Sequence, residues 1–323
     1  MNAIAQPVRA RIAGIGGYRP RRVVTNEEVC RQIDSTPEWI ERRSGIRTRR
    51  FAQPDETLVE MAAIAGAKAL GDAGLAPADV DRILVATMSW TPDSPADLAA
   101  AVADRLGVHA VAIQVNAACA GFTAALKLAA DAVSSGTSGT CLVIGTERMS
   151  DIVDPTDRGT AFLFSDGAGA VVVTASKTLG IGPVVWRSRP DLSQAIVTVP
   201  GGPDTRPVLQ MAGNTVFRWA VSSLPEAISE VLEASGLEAE DLRAFIPHQA
   251  NLRITRSVAE SAGLSQHVAI AEDIVDQGNT SAASIPLAME RMRDSGVVAR
   301  GDLALLLGFG AGLGFAGMVV AVP

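Results

Sequence analysis

The sequence predicts an α/β protein built from two copies of one unit, and three observations carry that reading. Leu70-Gly71-Asp72-Ala73-Gly74-Leu75, followed by Asp79-Val80 and Ile83, is echoed by Leu232-Glu233-Ala234-Ser235-Gly236-Leu237, followed by Asp241-Leu242 and Phe245. Both copies read as a helix stopped at glycine, a short loop and entry into a buried strand. Short, continuously apolar runs such as Leu303 to Leu307 alternate with helical patterns, as expected of sheets covered on both faces. With 48% hydrophobic residues in 323 and a single Tyr, the chain suits close-packed helices on buried sheets rather than disorder.

In the first half, strands are expected near 9–16, 82–88, 111–116, 140–146 and 168–174, and helices near 55–73, 95–106 and 120–135. In the second, strands are expected near 181–186, 243–247, 302–308 and 314–322, and helices near 214–235, 251–262 and 280–295. The division falls at 1–175 and 176–323. At the shift defined by the repeat, Cys119 stands opposite Ser281, and the strand from Thr140 to Gly145 lies opposite Leu303 to Gly308. The segment from Arg187 to Val208, with Pro190, Pro200, Gly201, Gly202, Pro203 and Pro207, reads as a surface connection of a length that often covers a site.

Cys119 ends an apolar run, Val111 to Val115, and precedes a helical pattern from Ala120. There the helix dipole and unpaired backbone N–H groups favour a thiolate. A free cysteine is ordinarily a small buried hydrophobe, His248 alone a structural residue and Asn279 alone a helix cap. The local sequences Asn-Ala-Ala-Cys-Ala-Gly-Phe, Pro-His-Gln-Ala-Asn and Gly-Asn-Thr-Ser-Ala-Ala-Ser together favour a Cys-His-Asn site, in which imidazole and amide stabilise negative charge on a carbonyl oxygen.

Composition narrows the alternatives. Cys30, Cys119 and Cys141 have neither disulfide nor metal-ligand spacing, and with His109, His248 and His267 as the histidines no metal site is expected. A net charge of −7 argues against nucleic-acid binding. Arginines cluster at Arg19, Arg21 and Arg22 and at Arg42, Arg43, Arg47, Arg49 and Arg50, a pattern suited to an anionic substrate as well as to solvated surface. No signal-peptide core or membrane-length apolar run is present, so a cytoplasmic location is expected.

Over essentially its whole length the chain resembles ketoacyl synthase III, the initiating condensing enzyme of the thiolase superfamily. Beyond the three active-site segments, the likeness includes Thr36-Pro37-Glu38-Trp39-Ile40, Arg43-Ser44-Gly45-Ile46-Arg47, Asp157-Arg158-Gly159-Thr160, Met211-Ala212-Gly213-Asn214 and Gly308-Phe309-Gly310-Ala311-Gly312. The ending, with Phe217-Arg218-Trp219-Ala220-Val221, looks nearest to priming ketosynthases of the R1128 type. The absence of a second cysteine from the closing loop separates it from thiolases, and Asn279 separates it from elongating synthases with two histidines.

The resemblance implies a thiolase-like, five-layered αβαβα fold with pseudo-twofold symmetry. It implies decarboxylative condensation of an acyl-CoA starter with malonyl-ACP through an acyl-Cys119 intermediate, with His248 and Asn279 catalytic and no cofactor beyond the CoA thioester. Cys119 and Ala311 would supply an oxyanion hole. Trp39 and Arg158 would flank the CoA adenine, Arg43 its phosphates, and Asn214, Ala250 and Asn251 the pantetheine, with Phe309 near the malonyl carboxylate. Arg218, Arg253 and Arg256 would meet the acidic carrier protein. A homodimer is implied, in which the segment Asp93-Ser94-Pro95 of one subunit reaches the acyl pocket of the other; Ser94 stands where short-chain enzymes place a bulky phenylalanine. The competing reading is an acyltransferase on the same scaffold, with His248 as base toward an alcohol, amine or carrier thiol; a third is a noncatalytic subunit shaping a partner's pocket.

Overall fold

The computed structural model describes residues 9–91, 93–178, 180–199, 206–264 and 266–323. In chain order the strands are β1 (Arg9–Tyr18), β2 (Arg22–Thr25), β3 (Thr48–Phe51), β4 (Arg82–Ala86), β5 (Val111–Val115), β6 (Thr140–Arg148), β7 (Asp166–Ser176), β8 (Val185–Arg187), β9 (Ile196–Val199), β10 (Val208–Met211), β11 (Ala244–Pro247), β12 (Ala269–Ile270), β13 (Leu303–Gly310) and β14 (Gly314–Ala321). The α-helices are α1 (Asn26–Val29), α2 (Pro37–Ser44), α3 (Leu58–Ala73), α4 (Leu98–Leu106), α5 (Gly121–Ser134), α6 (Gly213–Ser235), α7 (Leu252–Ser261), α8 (Ile274–Gln277) and α9 (Ser284–Asp294).

Two five-stranded sheets run β1-β7-β6-β4-β5 and β8-β14-β13-β11-β12, the same order in each half. Within each sheet the inner pairs, β4 with β6 and β11 with β13, are parallel, whereas β6–β7 and β13–β14 are antiparallel. Helices α5 and α9 lie between the sheets, α3 and α4 cover the first sheet's outer face, and α6 and α7 cover the second's. That stacking is the αβαβα sandwich. Its central core joins Phe122 and Leu126 of α5, Ile285 and Met289 of α9, and the inward residues of both sheets.

The sequence echo is a structural one. Helix α3 ends at Gly74 and α6 at Gly236, both left-handed, each with the following Leu N–H returning to the carbonyl of Leu70 or Leu232. The register needs one correction. Tight 3₁₀ turns precede the central helices, Ala118–Ala120 before α5 and Ser281–Ala283 before α9, so the topological counterpart of Cys119 is Ala282 rather than Ser281.

Three further expectations change. Helix α4 starts at Leu98 and is capped by the Asp97 carboxylate on the Ala100 N–H at 2.9 Å, because Ser94 is already engaged in a local turn with Thr91. Strand β5 is an edge strand, and Val111 and Ile113 stay 58% and 38% exposed where a covered strand was expected. The Pro-rich connection folds into a 3₁₀ segment, Pro190–Ala195, and the antiparallel hairpin β9–β10; Pro200, Gly201, Gly202 and Pro203 lie outside the described residues.

Candidate active site

Three backbone strains mark one region. Among the described residues, the non-glycine residues with positive φ are Ala118 (45°), Ser281 (46°) and Leu313 (40°), beside Cys119, Asn279 and Ala311 respectively. Such conformations cost about 1–2 kcal/mol each and persist where the surroundings enforce them. Here the enforcement is close packing: a Cβ on Gly310 would come within 2.7 Å of the Cys119 Cβ and 3.1 Å of its sulfur. Only glycine lets β13 pass so near the thiol.

Cys119 is 7% exposed, and its sulfur accepts a hydrogen bond from the Ser281 hydroxyl at 3.4 Å. Burial pushes the thiol up to about 12, a rise that the Ser281 hydrogen bond opposes and the charge of Glu147 adds to. The resting Cys119 side chain is therefore a thiol, held at the N-terminal end of α5 where negative charge on it would be favoured.

His248 follows β11, its N–H bonded to the carbonyl of Leu307 in β13. Burial drives its imidazole down to about 3, so the ring is neutral at physiological pH. Nδ1 lies 2.7 Å from the Ser284 hydroxyl, which also accepts the Gln249 N–H at 3.3 Å. Phe309 stacks edge-on against the ring at 5.2 Å.

Asn279 is pinned through its backbone between Leu163 and Ser165. Gly278 just before it has φ 70°, and a Cβ there would strike Arg49 and Ser165 at about 3 Å. The Asn279 Oδ1 accepts the Ser281 N–H at 2.8 Å, which caps the turn and leaves the amide NH2 group as the donor for a ligand. Capping the turn therefore does not occupy the donor that the ligand-binding reading of Asn279 requires.

Cys119, His248, Asn279 and Phe309 converge on one pocket. Of the other anticipated residues, Arg43, Ala250, Asn251 and Arg253 line it. Asn214 accepts a hydrogen bond from Arg43 at 3.0 Å, and Asn251 both caps α7 and donates to the Arg43 carbonyl. Arg253 is exposed and stacks over Phe217 at 5.1 Å.

The remaining residues are not part of this pocket's lining. The Arg158 guanidinium sits 4.5 Å over the Trp39 ring and bonds the Asp34 carbonyl, so no gap for a planar ring separates them in this conformation. Ala311 opens the turn after Gly310 and lines a second cavity with Ala117, Ala120 and Trp186. Ser94 is not among the residues lining its own chain's pocket. Arg218 is exposed, whereas Arg256 is held by Glu272 through two hydrogen bonds of 2.8 and 3.0 Å. The arginine cluster also divides: Arg49 is fully buried, Arg47 pairs with Asp276, and Arg43 alone of the five lines the pocket.

Sequence reasoning missed the pocket's apolar wall. Met88, Phe164, Ile196, Leu209 and Met211 complete it, the last three from the β9–β10 hairpin region. The uninterrupted β-branched run Ile196-Val197-Thr198-Val199, a few residues after Pro190, was the available signal. Among the described residues no group of three or more His, Cys, Asp or Glu is placed to hold a metal, and no helix is long and apolar enough to cross a membrane.

Comparison with known proteins bears on this geometry directly. The family model for 3-oxoacyl-[acyl-carrier-protein (ACP)] synthase III matches residues 113–190, and that for the C-terminal part of the same synthase matches 232–322. A β-ketoacyl-[acyl-carrier-protein] synthase III of Streptomyces lividans is 48% identical over 322 residues, covering 97% of this chain and 95% of its own. The mycobacterial synthase III of Mycobacterium avium is 45% identical, covering 100% and 98%. The crystal structure of the priming β-ketosynthase from the R1128 polyketide biosynthetic pathway superposes with a TM-score of 0.94 at 47% identity, over 99% of both chains. The 3-oxoacyl-[acyl-carrier-protein] synthase III of Aquifex aeolicus gives 0.90 at 37%, over 97% and 99%. With such identity along nearly its entire length, and a thiol, imidazole and amide gathered in one pocket, the chain belongs to the β-ketoacyl-[acyl-carrier-protein] synthase III family, acyltransferases with the thiolase-like fold.

Proposed function

We propose that this protein joins an acyl starter, delivered as a CoA thioester, to malonyl-ACP in fatty acid or polyketide chain initiation. The observation that carries the assignment of roles is the convergence of Cys119, His248 and Asn279 on a single apolar pocket with arginines at its mouth. Cys119 attacks the starter thioester, CoA leaves as the thiol, and the acyl group remains on sulfur. Backbone N–H groups of Cys119 and Ala311 receive the developing oxyanion. The acyl chain lies against Met88, Ile196 and Leu209.

The malonyl thioester then enters past Arg43, Asn214, Ala250 and Asn251, with Arg218, Arg253 and Arg256 facing the acidic carrier protein. Trp39 and Arg158 form the adenine site for CoA, opening from their stacked contact. His248 acts as a neutral donor: with the Ser284 hydroxyl donating to Nδ1, the ring proton resides on Nε2 and reaches the malonyl carbonyl together with the Asn279 amide. Loss of carbon dioxide leaves an enolate that these donors stabilise, and its carbon attacks the acyl-cysteine. Phe309, packed on His248, lies by the departing carboxylate, where an apolar ring favours the neutral product over the anion. No cofactor is required beyond the thioesters themselves.

The working form is proposed to be a cytoplasmic homodimer joined along the exposed β5 edge, each subunit presenting Ser94 to the other's acyl pocket. The function is tested by following the mass of the protein with a panel of acyl-CoAs, then adding malonyl-ACP. Acylation followed by ketoacyl-ACP and carbon dioxide is the expected result. Transfer of the acyl group to an alcohol or amine without carbon dioxide would overturn it in favour of simple acyl transfer.

A further inference from the structure

Glu147, in β6, is fully buried and takes no part in the reaction just described. Its carboxylate accepts hydrogen bonds from the Thr87 and Ser89 hydroxyls at 3.0 and 2.6 Å, from the backbone N–H groups of Met88 and Ser89 at 3.1 and 3.0 Å, and from the Ala282 N–H at 3.3 Å. No cation is among these partners. One carboxylate thus ties the loop carrying Met88, which lines the pocket, to the turn carrying Ser281.

Ser281 is fixed from both sides. Asn279 Oδ1 holds its N–H, Glu147 holds the N–H of the next residue, and its hydroxyl lies between two acceptors, the Cys119 sulfur at 3.4 Å and the Glu147 carboxylate, which has its other hydrogen bonds from Thr87, Met88, Ser89 and Ala282. The titratable groups that share the pocket with this sulfur or act on it, among the described residues, are Glu147 from β6, His248, Arg43 and Arg253, and neither arginine is among the groups that shift the thiol. A neutral imidazole and a carboxylate give a thiolate no cationic partner, so the Ser281 hydroxyl is the side-chain donor that serves it.

We propose that Ser281 is a further catalytic residue, donating a hydrogen bond to the Cys119 sulfur whenever that atom bears negative charge, and that Glu147 is a positioning residue acting through it. The inference rests on Cys119 being the nucleophile. Charge appears on sulfur twice. In acylation the Cys119 sulfur bonds to the starter carbonyl carbon, the bond from that carbon to the CoA sulfur breaks, and the proton lost by Cys119 is balanced by the one gained by CoA. In condensation the enolate carbon bonds to the acyl carbon, the thioester bond from that acyl carbon to the Cys119 sulfur breaks, and the thiolate leaves against Ser281 before taking a proton from solvent.

Ser281→Ala is the deciding variant, and its backbone is safe, because Ala118 already adopts the same left-handed φ in the matching turn of the other half. A hydrogen bond to a charged group lost here predicts a fall of about tenfold or more in both the iodoacetamide alkylation rate of Cys119 at neutral pH and the acylation rate by acyl-CoA. The alkylation profile moves to higher pH, since the thiolate has lost its donor. Decarboxylation of malonyl-ACP, which depends on His248 and Asn279, stays within about twofold of wild type. Unchanged alkylation and acylation would overturn the proposal, as would equal loss of all three activities with a lowered melting temperature. Glu147→Gln removes a charge that opposes the thiolate as well as an anchor of the Ser281 turn, so what is read is the coupling: its effect on the two rates in the Ser281→Ala background is expected to differ from its effect in wild type by more than about twofold, and equal effects in the two backgrounds would break the link between them. Acylation persisting in Cys119→Ala would instead remove the nucleophile assignment on which the proposal rests.

Discussion

Burial acts on the two titratable site residues in opposite senses, raising the Cys119 thiol to about 12 and lowering the His248 imidazole to about 3. Both are therefore neutral at physiological pH in the folded protein. For Cys119 the first consequence is covalent: Cys119→Ala should abolish acyl adducts in intact-protein mass spectra, while Cys30→Ala and Cys141→Ala retain them, because neither of those thiols lines the pocket. His248→Ala and Asn279→Ala should still be acylated but release carbon dioxide from malonyl-ACP about a hundredfold more slowly, the usual cost of one oxyanion donor. For His248 there is also a stability consequence. A folded value near 3 against an unfolded one near 6.5 means that the unfolded chain binds the extra proton, so this contribution is intact above pH 6.5 and declines as pH falls. At pH 5 the loss is about 2 kcal/mol. Urea melts at pH 7.5 and pH 5 should therefore show wild type losing that much more than His248→Gln; an equal loss would mean the ring is solvated. Asp166, raised to about 6, titrates in the opposite sense in both proteins and cancels from the comparison.

The elements were legible wherever local chemistry decided them. Glycine stops at Gly74 and Gly236 and the apolar run Leu303 to Leu307 gave helix ends and a buried strand from sequence alone. Cys119, His248 and Asn279, which meet in one pocket, stood out because each sits in a distinctive local sequence at an element end. What stayed hidden depends on nonlocal packing. Val111 and Ile113 have the composition of a covered strand, and only the sheet order puts them at an edge. The stacking of Arg158 on Trp39 joins residues far apart in sequence, as does the pairing of Arg256 with Glu272. The β9–β10 hairpin was obscured by its prolines, yet it supplies Ile196 and Leu209 to the pocket wall beside Phe164. Enlarging that wall should shorten the starter that fits: Leu209→Trp is expected to favour acetyl over longer acyl groups. One methylene in an apolar pocket discriminates by about 1–3 kcal/mol, so competing acylation rates should shift at least severalfold. An unchanged chain-length profile would place the acyl chain elsewhere.

At the scale of the whole molecule, the first sheet ends on β5 with unpaired backbone groups and an apolar face, a combination that invites pairing with another strand. A second copy supplies a matching edge by symmetry, and the helix α5 behind it adds Leu128, itself 44% exposed. The loop carrying Ser94 leads into α4, which packs on β5, so an assembly formed along this edge brings the two Ser94 loops near the join. Two variants separate assembly from pocket shape. Ile113→Lys buries a charge at the proposed join and should convert a dimer to monomer in sedimentation, with loss of acylation by starters longer than acetyl if the partner completes their pocket. Ser94→Phe should leave the dimer intact while shifting preference toward acetyl, since a bulky ring at that place narrows the neighbouring cavity. Mixing an inactive Cys119→Ala chain with a Ser94→Phe chain then assigns the effect. In the mixed dimer the sole functional Cys119 belongs to the Ser94→Phe chain and faces a partner with native Ser94. Wild-type chain-length preference from that pair is the expected result, and a preference still narrowed to acetyl would mean that Ser94 shapes the pocket of its own subunit.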